Sequence, residues 1–213
     1  MDRQQSRSDR RIRQFDTILR TLMPRAATSQ RASPAEGVAD GVLDEQERRH
    51  SASIMRVNHT SEVCVQALYQ GHCATAKLPQ VHNQMEQSAR EGMDHLAWCS
   101  ERLEELQSRT SSLNPLFYAA SFGIGAATGA VSDRISLGFV AATEEQMVKH
   151  LETQQQSLPS EDHRSRTILR QMAVDDSHHA RLALETGGVS FPAPVKWGMR
   201  LVSNVVTKGV YYS

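Results

Sequence analysis

Cysteine is scarce in this chain. Cys64, Cys73 and Cys99 are the only three in 213 residues, and no two of them form a CxxC pair. An odd set without that spacing excludes a disulfide frame and a zinc knuckle. It reads as buried free thiols in a reducing compartment. Aromatics are few, at 5%, and twelve Gly and seven Pro are too few for a collagen-like or low-complexity chain. Neither sign of charge prevails: 24 Lys+Arg match 24 Asp+Glu. That balance excludes a simple polyanion-binding protein, so nucleic acid is not an expected partner. The first apolar residues sit among arginines and no h-region follows, so no signal peptide is expected. A transit peptide is disfavoured by Asp2, Asp9 and Asp16. No segment alternates with the period of a strand. The chain is long enough for one domain with its own core.

The neutral total is unevenly spread. Residues 1–31 carry eight Arg against three Asp, a net of +5, and residues 186–213 carry Lys196, Arg200 and Lys208 with no acid, a net of +3. The middle holds thirteen bases against twenty-one acids, a net of −8. Apolar residues Ile12, Phe15, Ile18, Leu19 and Leu22 recur at helical spacing, and a Pro- and Gly-containing loop follows to residue 43. The spacing predicts further helices over about 44–77 with Asp44 as N-cap, 80–107, 116–131, 134–157, 161–186 and 195–212. The class is all-α, a bundle. Three regions are expected: a basic amphipathic segment and loop (1–43), a bundle (44–187) with an uncharged connection (110–132), and a basic amphipathic tail (188–213). Gly123, Gly125 and Gly129 have the wrong spacing for a dinucleotide fingerprint and read as close helix packing.

An approximate duplication runs through the acidic middle. Glu62 lies among apolar residues, and His95 follows 33 residues later behind Glu91 and Asp94. Glu144 lies in a similar setting, and His179 follows 35 residues later behind Asp175 and Asp176. Residues three or four apart share a helix face, so Asp176 faces with His179 and Glu91 with His95. Two helices bearing a carboxylate and two bearing a carboxylate with a histidine form the ligand plan of ferritin-like di-metal proteins. Buried carboxylates are costly without a cation, and a mixed N/O set with open positions suits iron or manganese.

The run Met55-Arg56-Val57-Asn58-His59-Thr60-Ser61-Glu62-Val63-Cys64, with Ala67-Leu68-Tyr69-Gln70-Gly71 after it, resembles the demethoxyubiquinone hydroxylase family. So do Asp94-His95-Leu96-Ala97-Trp98-Cys99, Leu113-Asn114-Pro115-Leu116-Phe117-Tyr118 and Asp133-Arg134-Ile135-Ser136-Leu137-Gly138-Phe139-Val140. The resemblance spans roughly 12–213. It implies a ferritin-like four-helix bundle with added membrane-associated helices, two iron ions per chain, and hydroxylation of a polyprenylated 6-methoxy-3-methyl-1,4-benzoquinol. By this resemblance Glu62 and His95 ligate one iron, Glu144 and His179 the other, with bridging carboxylates three residues before each histidine. Those positions hold Asp176 and Gly92, and Gly92 offers no ligand. Glu91, one residue earlier, is the candidate substitute. Tyr69 and His150 are candidates for supporting roles around the ligands.

A substrate with a polyprenyl tail implies contact with a membrane surface. The basic 188–213 segment, with Trp197, Tyr211 and Tyr212, suits that interface, as does the 110–132 stretch. The expected location is peripheral, on the cytoplasmic face of a bacterial cell membrane, or on the mitochondrial inner membrane in a eukaryote. Electrons must come from an external donor, because no flavin or nicotinamide motif is present. A ubiquinone-biosynthesis complex or a homo-oligomer is the corresponding assembly. Two other readings are a quinone- or lipid-binding accessory protein that has lost its metal through Gly92, and a soluble ferritin-like iron or peroxide protein.

Overall fold

The computed structural model describes residues 7–23 and 25–211, and these form seven helices with no strand among them. Arg3, Pro24 and Tyr212 lie outside the described residues, as do the side chains of Arg7, Arg10, Arg11 and Arg13. The helices are α1 (Arg7–Leu22), α2 (Glu45–Thr75), α3 (Pro79–Glu105), α4 (Asn114–Val131), α5 (Asp133–Ser157), α6 (His163–Glu185) and α7 (Ala193–Tyr211).

Local chemistry sets most of the boundaries. Asp44 caps α2 through a reciprocal box: its carboxylate accepts from Glu47 N at 2.8 Å, and Glu47 Oε2 accepts from Asp44 N at 2.9 Å. Pro79 stands at the start of α3, where its missing N–H costs nothing. Ser132, in extended conformation, breaks α4 from α5 and caps α5 by accepting from Ile135 N. Asp162 caps α6 through Ser165 N, and Gly187, at φ +110°, turns the chain out of it.

Helices α2, α3, α6 and α5 pack in a ring as the four-helix bundle. Its interior is layered. One apolar cluster joins Met55, Trp98, Leu103, Leu151, Leu169 and Met172. A second joins Tyr69, Val81, Met85, Leu137, Val140 and Ala183. Each fully buried Leu or Met contributes roughly 1.5–3 kcal/mol. Between the two layers, by position along all four helices, lie Glu62, His95, Glu144, Asp176 and His179.

Helix α4 lies along α2 on a glycine seam. A Cβ at Gly125 would sit 2.5 Å from the Leu68 carbonyl oxygen, and one at Gly71 would sit 2.4 Å from that of Phe122. The small residues therefore serve close helix approach, as their spacing suggests. Asp133, at the start of α5, accepts from Lys77 N and Leu78 N in the turn between α2 and α3, at 3.0 and 2.8 Å. At the other end of the bundle, buried Arg102 pairs with Asp162 at 2.8 Å, Asp40 at 2.6 Å and Glu105 at 2.7 Å.

Helices α1, α4 and α7 lie outside the ring and expose apolar side chains. These include Ile12, Phe15 and Leu19 on α1, Leu116 and Val131 on α4, and Trp197, Val202 and Val205 on α7. Among the described residues, no helix is long and apolar enough to cross a membrane.

Candidate metal centre

Each ligand candidate comes from the middle of a bundle helix and points inward. Glu62, His95, Glu144, Asp176 and His179 are all at most 3% exposed. Their ligating atoms form two groups, Glu62–His95–Asp176 and Glu144–Asp176–His179, each within 4.8 Å. Asp176 belongs to both. His95 Nδ1 lies 3.3 Å from Glu62 Oε2 and 3.7 Å from Asp176 Oδ1, and His179 Nδ1 lies 3.8 Å from Glu144 Oε1. Both histidines thus turn Nδ1 toward the clusters.

The outer nitrogens are held reciprocally. His95 Nε2 donates to Asp175 of α6 at 3.0 Å, and His179 Nε2 donates to Glu91 of α3 at 2.8 Å. Asp175 lies four residues before His179, and Glu91 four before His95. Each −4 carboxylate therefore grips the histidine of the opposite helix. Glu91 is absent from both clusters and is 30% exposed. An ideal helix places it about 40° to one side of His95, whereas a −3 residue lies about 60° to the other.

Gly92 faces the interior. A Cβ there would fall 2.2 Å from both Glu62 Oε1 and Gln66 Nε2, so these two side chains fill the volume a side chain at 92 would take. The Gln66 amide donates to Ala89 O at 2.8 Å. Three buried oxygens nearby lack a hydrogen-bond partner: Gln66 Oε1, Glu144 Oε2 and Asp176 Oδ2. Buried acceptors without donors are rare and costly. Cations would satisfy them.

The titration pattern agrees. Burial raises the Glu144 carboxyl to about 7, against the opposing charge of His179. Burial, and then the charge of Glu144, raises Asp176 well above the carboxylate range. Burial disfavours charge on His95, but hydrogen bonds to Asp175 and Glu62 outweigh it and raise that group. Crowded carboxylates pushed toward their protonated forms are a natural seat for divalent ions, which would displace protons on binding.

Tyr69 Oη donates to Glu144 Oε1 at 2.5 Å, so Tyr69 adjoins the centre directly. His150 is half-buried and faces the charge of Arg200, which together with burial lowers it. His178 is exposed beside Arg181. Asp175, Gln66 and Arg31 complete the surroundings. Gln66 was visible in principle as Glu62 plus four, and Asp175 as the counterpart of Glu91. Arg31 left no periodic signal. It pairs with Asp94 at 2.6 Å and with Asp175 at 2.8 Å, so this base of the N-terminal segment is already engaged by carboxylates of the chain, though its side chain stays 39% exposed. The three cysteines are unpaired, and burial raises Cys64 to about 11 and Cys73 to about 12.

Comparison with known proteins gives a consistent picture. Residues 49–209 match the family described as ubiquinone biosynthesis protein COQ7, a span that leaves out the loop carrying Arg31. The 3-demethoxyubiquinol 3-hydroxylase of Chromohalobacter salexigens is 62% identical over 211 residues, covering 99% of both chains. Those of Azotobacter vinelandii and Pseudomonas syringae pv. syringae are 57% and 55% identical, covering 99% of this chain and 98% of theirs.

Proposed function

The chain belongs to the COQ7 family of ubiquinone biosynthesis proteins, and on that premise we propose that its two clusters hold two iron ions serving a 3-demethoxyubiquinol 3-hydroxylase. The enzyme is an oxidoreductase acting on a benzoquinol ring. The observation that carries the metal reading is Asp176, a buried carboxylate shared by two histidine–carboxylate groups with an oxygen left unpartnered. Glu62 and His95 hold one position, Glu144 and His179 the other, and Asp176 lies between them. Glu91 orients His179 from outside rather than standing in for the carboxylate absent at 92.

Bound ferrous ions would supply open coordination positions and electrons for dioxygen, one atom of which enters the ring while the other leaves as water. The chain's own residues do the rest. Tyr69 holds Glu144 in place, and Asp175 and Glu91 fix the two imidazole rings so that each Nδ1 faces inward. The apolar layers on either side keep bulk water out. An external donor must return the electrons.

The substrate's tail resides in a bilayer, so the protein meets that surface from one side without crossing it. The exposed apolar residues of α1, α4 and α7 provide the contact, with Arg200 and Lys208 near anionic headgroups at about 1 kcal/mol each. A soluble storage protein would have no use for three such faces. The decisive experiment loads iron anaerobically and counts it, then tests complementation of a strain lacking this hydroxylase, with quinones read by mass spectrometry. About two irons per chain and restored ubiquinone are expected. Iron near zero would sink the di-iron reading and favour a metal-free accessory role.

A further inference from the structure

We propose that Arg31, in the loop between α1 and α2, is a positioning residue of the metal centre: it fixes Asp175, and Asp175 fixes the ring of His95. The proposal rests on the reading of the two clusters as metal ligands.

Three consecutive loop residues are bound to α3 beside the centre. Arg31 Nε donates to Asp94 Oδ2 at 2.6 Å, Gln30 N to Asp94 Oδ1 at 2.6 Å, and Ser29 Oγ to the same oxygen at 3.2 Å. Trp98 Nε1 donates to Ser29 Oγ at 3.2 Å, and the Arg31 guanidinium lies 4.9 Å from the centroid of the Trp98 ring. The same guanidinium reaches α6, where Nη2 donates to Asp175 Oδ2 at 2.8 Å. That oxygen also accepts from His95 Nε2 at 3.0 Å. One planar fork thus spans two carboxylates on two helices through separate nitrogens, a fixed geometry that a single ammonium nitrogen does not reproduce. Asp175 Oδ1 is held by Gln171 Nε2 at 2.9 Å, so the carboxylate plane is set from both ends.

The opposite side is built differently. Glu91, the counterpart of Asp175, accepts from the neutral Gln87 amide at 3.4 Å and is 30% exposed. The centre is therefore unequal. The His95 position is strapped by an ion pair from the N-terminal loop, itself partly exposed, and the carboxylate behind the His179 position has no Lys or Arg partner among the described residues. Loss of Arg31 leaves Asp175 held by Gln171 and His95 alone and loosens its grip on the His95 ring, while the His179 side keeps its own partner.

The test is Co(II) titration of the metal-free full chain, followed by absorption, for the wild type, Arg31→Gln, Arg31→Lys and Arg25→Gln. Arg25 pairs with Glu104 from the same loop and does not touch Asp175, so its variant reports loop packing alone. The wild type should bind two ions. Arg31→Gln should bind one of them about 10- to 100-fold more weakly and the other unchanged. Arg31→Lys should recover part of the loss, and Arg25→Gln should match the wild type. Wild-type affinity at both positions in Arg31→Gln overturns the proposal, as does an equal loss in Arg25→Gln. Should Arg31→Gln fail to fold by circular dichroism, Asp175→Asn carries the same test. Its amide oxygen still accepts from His95 but no longer forms the ion pair, and wild-type affinity there overturns the proposal. A wild type that binds no Co(II) overturns the metal reading itself, a separate result.

Discussion

Gly92→Glu is the substitution that best interrogates the centre, because it returns a carboxylate to the face where the second −3 ligand is missing. The new Cβ would meet Glu62 Oε1 and Gln66 Nε2 at 2.2 Å, both flexible ends, so each must retreat by about 1 Å to ordinary contact. Replacing Gly within a helix returns at most about 1 kcal/mol. Displacing Gln66 from Ala89 O costs about as much. The larger effect is charge. A further carboxylate some 4–5 Å from Glu62 meets roughly 3–4 kcal/mol of repulsion at an effective dielectric near 20. The metal-free variant should therefore be less stable by about 2–4 kcal/mol, a fall in Tm of roughly 5–15 °C for a chain of this size. Two divalent ions reverse the sign, because Glu62, Glu144 and Asp176 alone leave the pair under-neutralised. Calorimetry with chelator and with excess Mn(II) should show a wider metal-induced rise in Tm for the variant than for the wild type, with hydroxylase activity equal or higher. A metal-induced rise no larger than the wild type's would refute the argument that position 92 faces the ions.

Three other outcomes are expected. Glu144, raised to about 7, and Asp176, also raised, bind more protons folded than unfolded, so their contribution to metal-free stability should fall as pH rises from about 4.5 through 7, whereas His59 and His72, lowered to about 4 by burial, act in the opposite sense as pH rises toward 6.5. His95, also raised, loses its contribution as pH rises too, whereas the lowered Asp175 acts only below its unfolded value and lies outside this window. Urea denaturation of the wild type and Glu144→Gln at pH 5 and 7.5 isolates the carboxylate: the wild type should lose stability relative to the variant as pH rises, and a difference that does not change with pH would count against a crowded carboxylate centre. Tyr69→Phe removes the donor to Glu144 and should weaken one metal position about 10- to 100-fold while costing the metal-free fold only about 1 kcal/mol, measured by titration and melting together. Arg102→Met strands Asp162, which is 0% exposed, and should cost about 3–5 kcal/mol with metal content per folded chain unchanged. A loss below about 1 kcal/mol would show that Asp162 finds another partner.

Sequence carried most of this fold because its information is local. The Asp44 cap, the proline at 79 and the stop at Gly187 are written in adjacent residues, and the structure places them as read. The five clustered ligand candidates were legible for the same reason, since helical spacing alone puts Asp176 and His179 on one face. What stayed hidden depends on distance in sequence. Arg31 reads as one of eight arginines in a basic head until a loop folds it against Asp175, 144 residues away. Lys196 likewise reads as tail charge but pairs with Glu145 at 2.5 Å. Glu91 is seen correctly as near the centre, but its target lies on α6, and no periodicity within α3 encodes that.

The Asp133 contact with the turn between α2 and α3 also acts as a datum for length. It pins the end of one helix pair to the beginning of the other. Measured from there, Glu62 lies 13 residues up α2 from Thr75 and Glu144 lies 11 residues up α5 from Asp133, about 20 and 16 Å of helix. Two ligands from separate hairpins are thus brought to nearly the same height by counting residues from a shared mark. One residue inserted in either interval would lift its ligand by about 1.5 Å and swing it through about 100°. Intervals 62–75 and 133–144 are therefore where a change of length would most directly misplace the ligands.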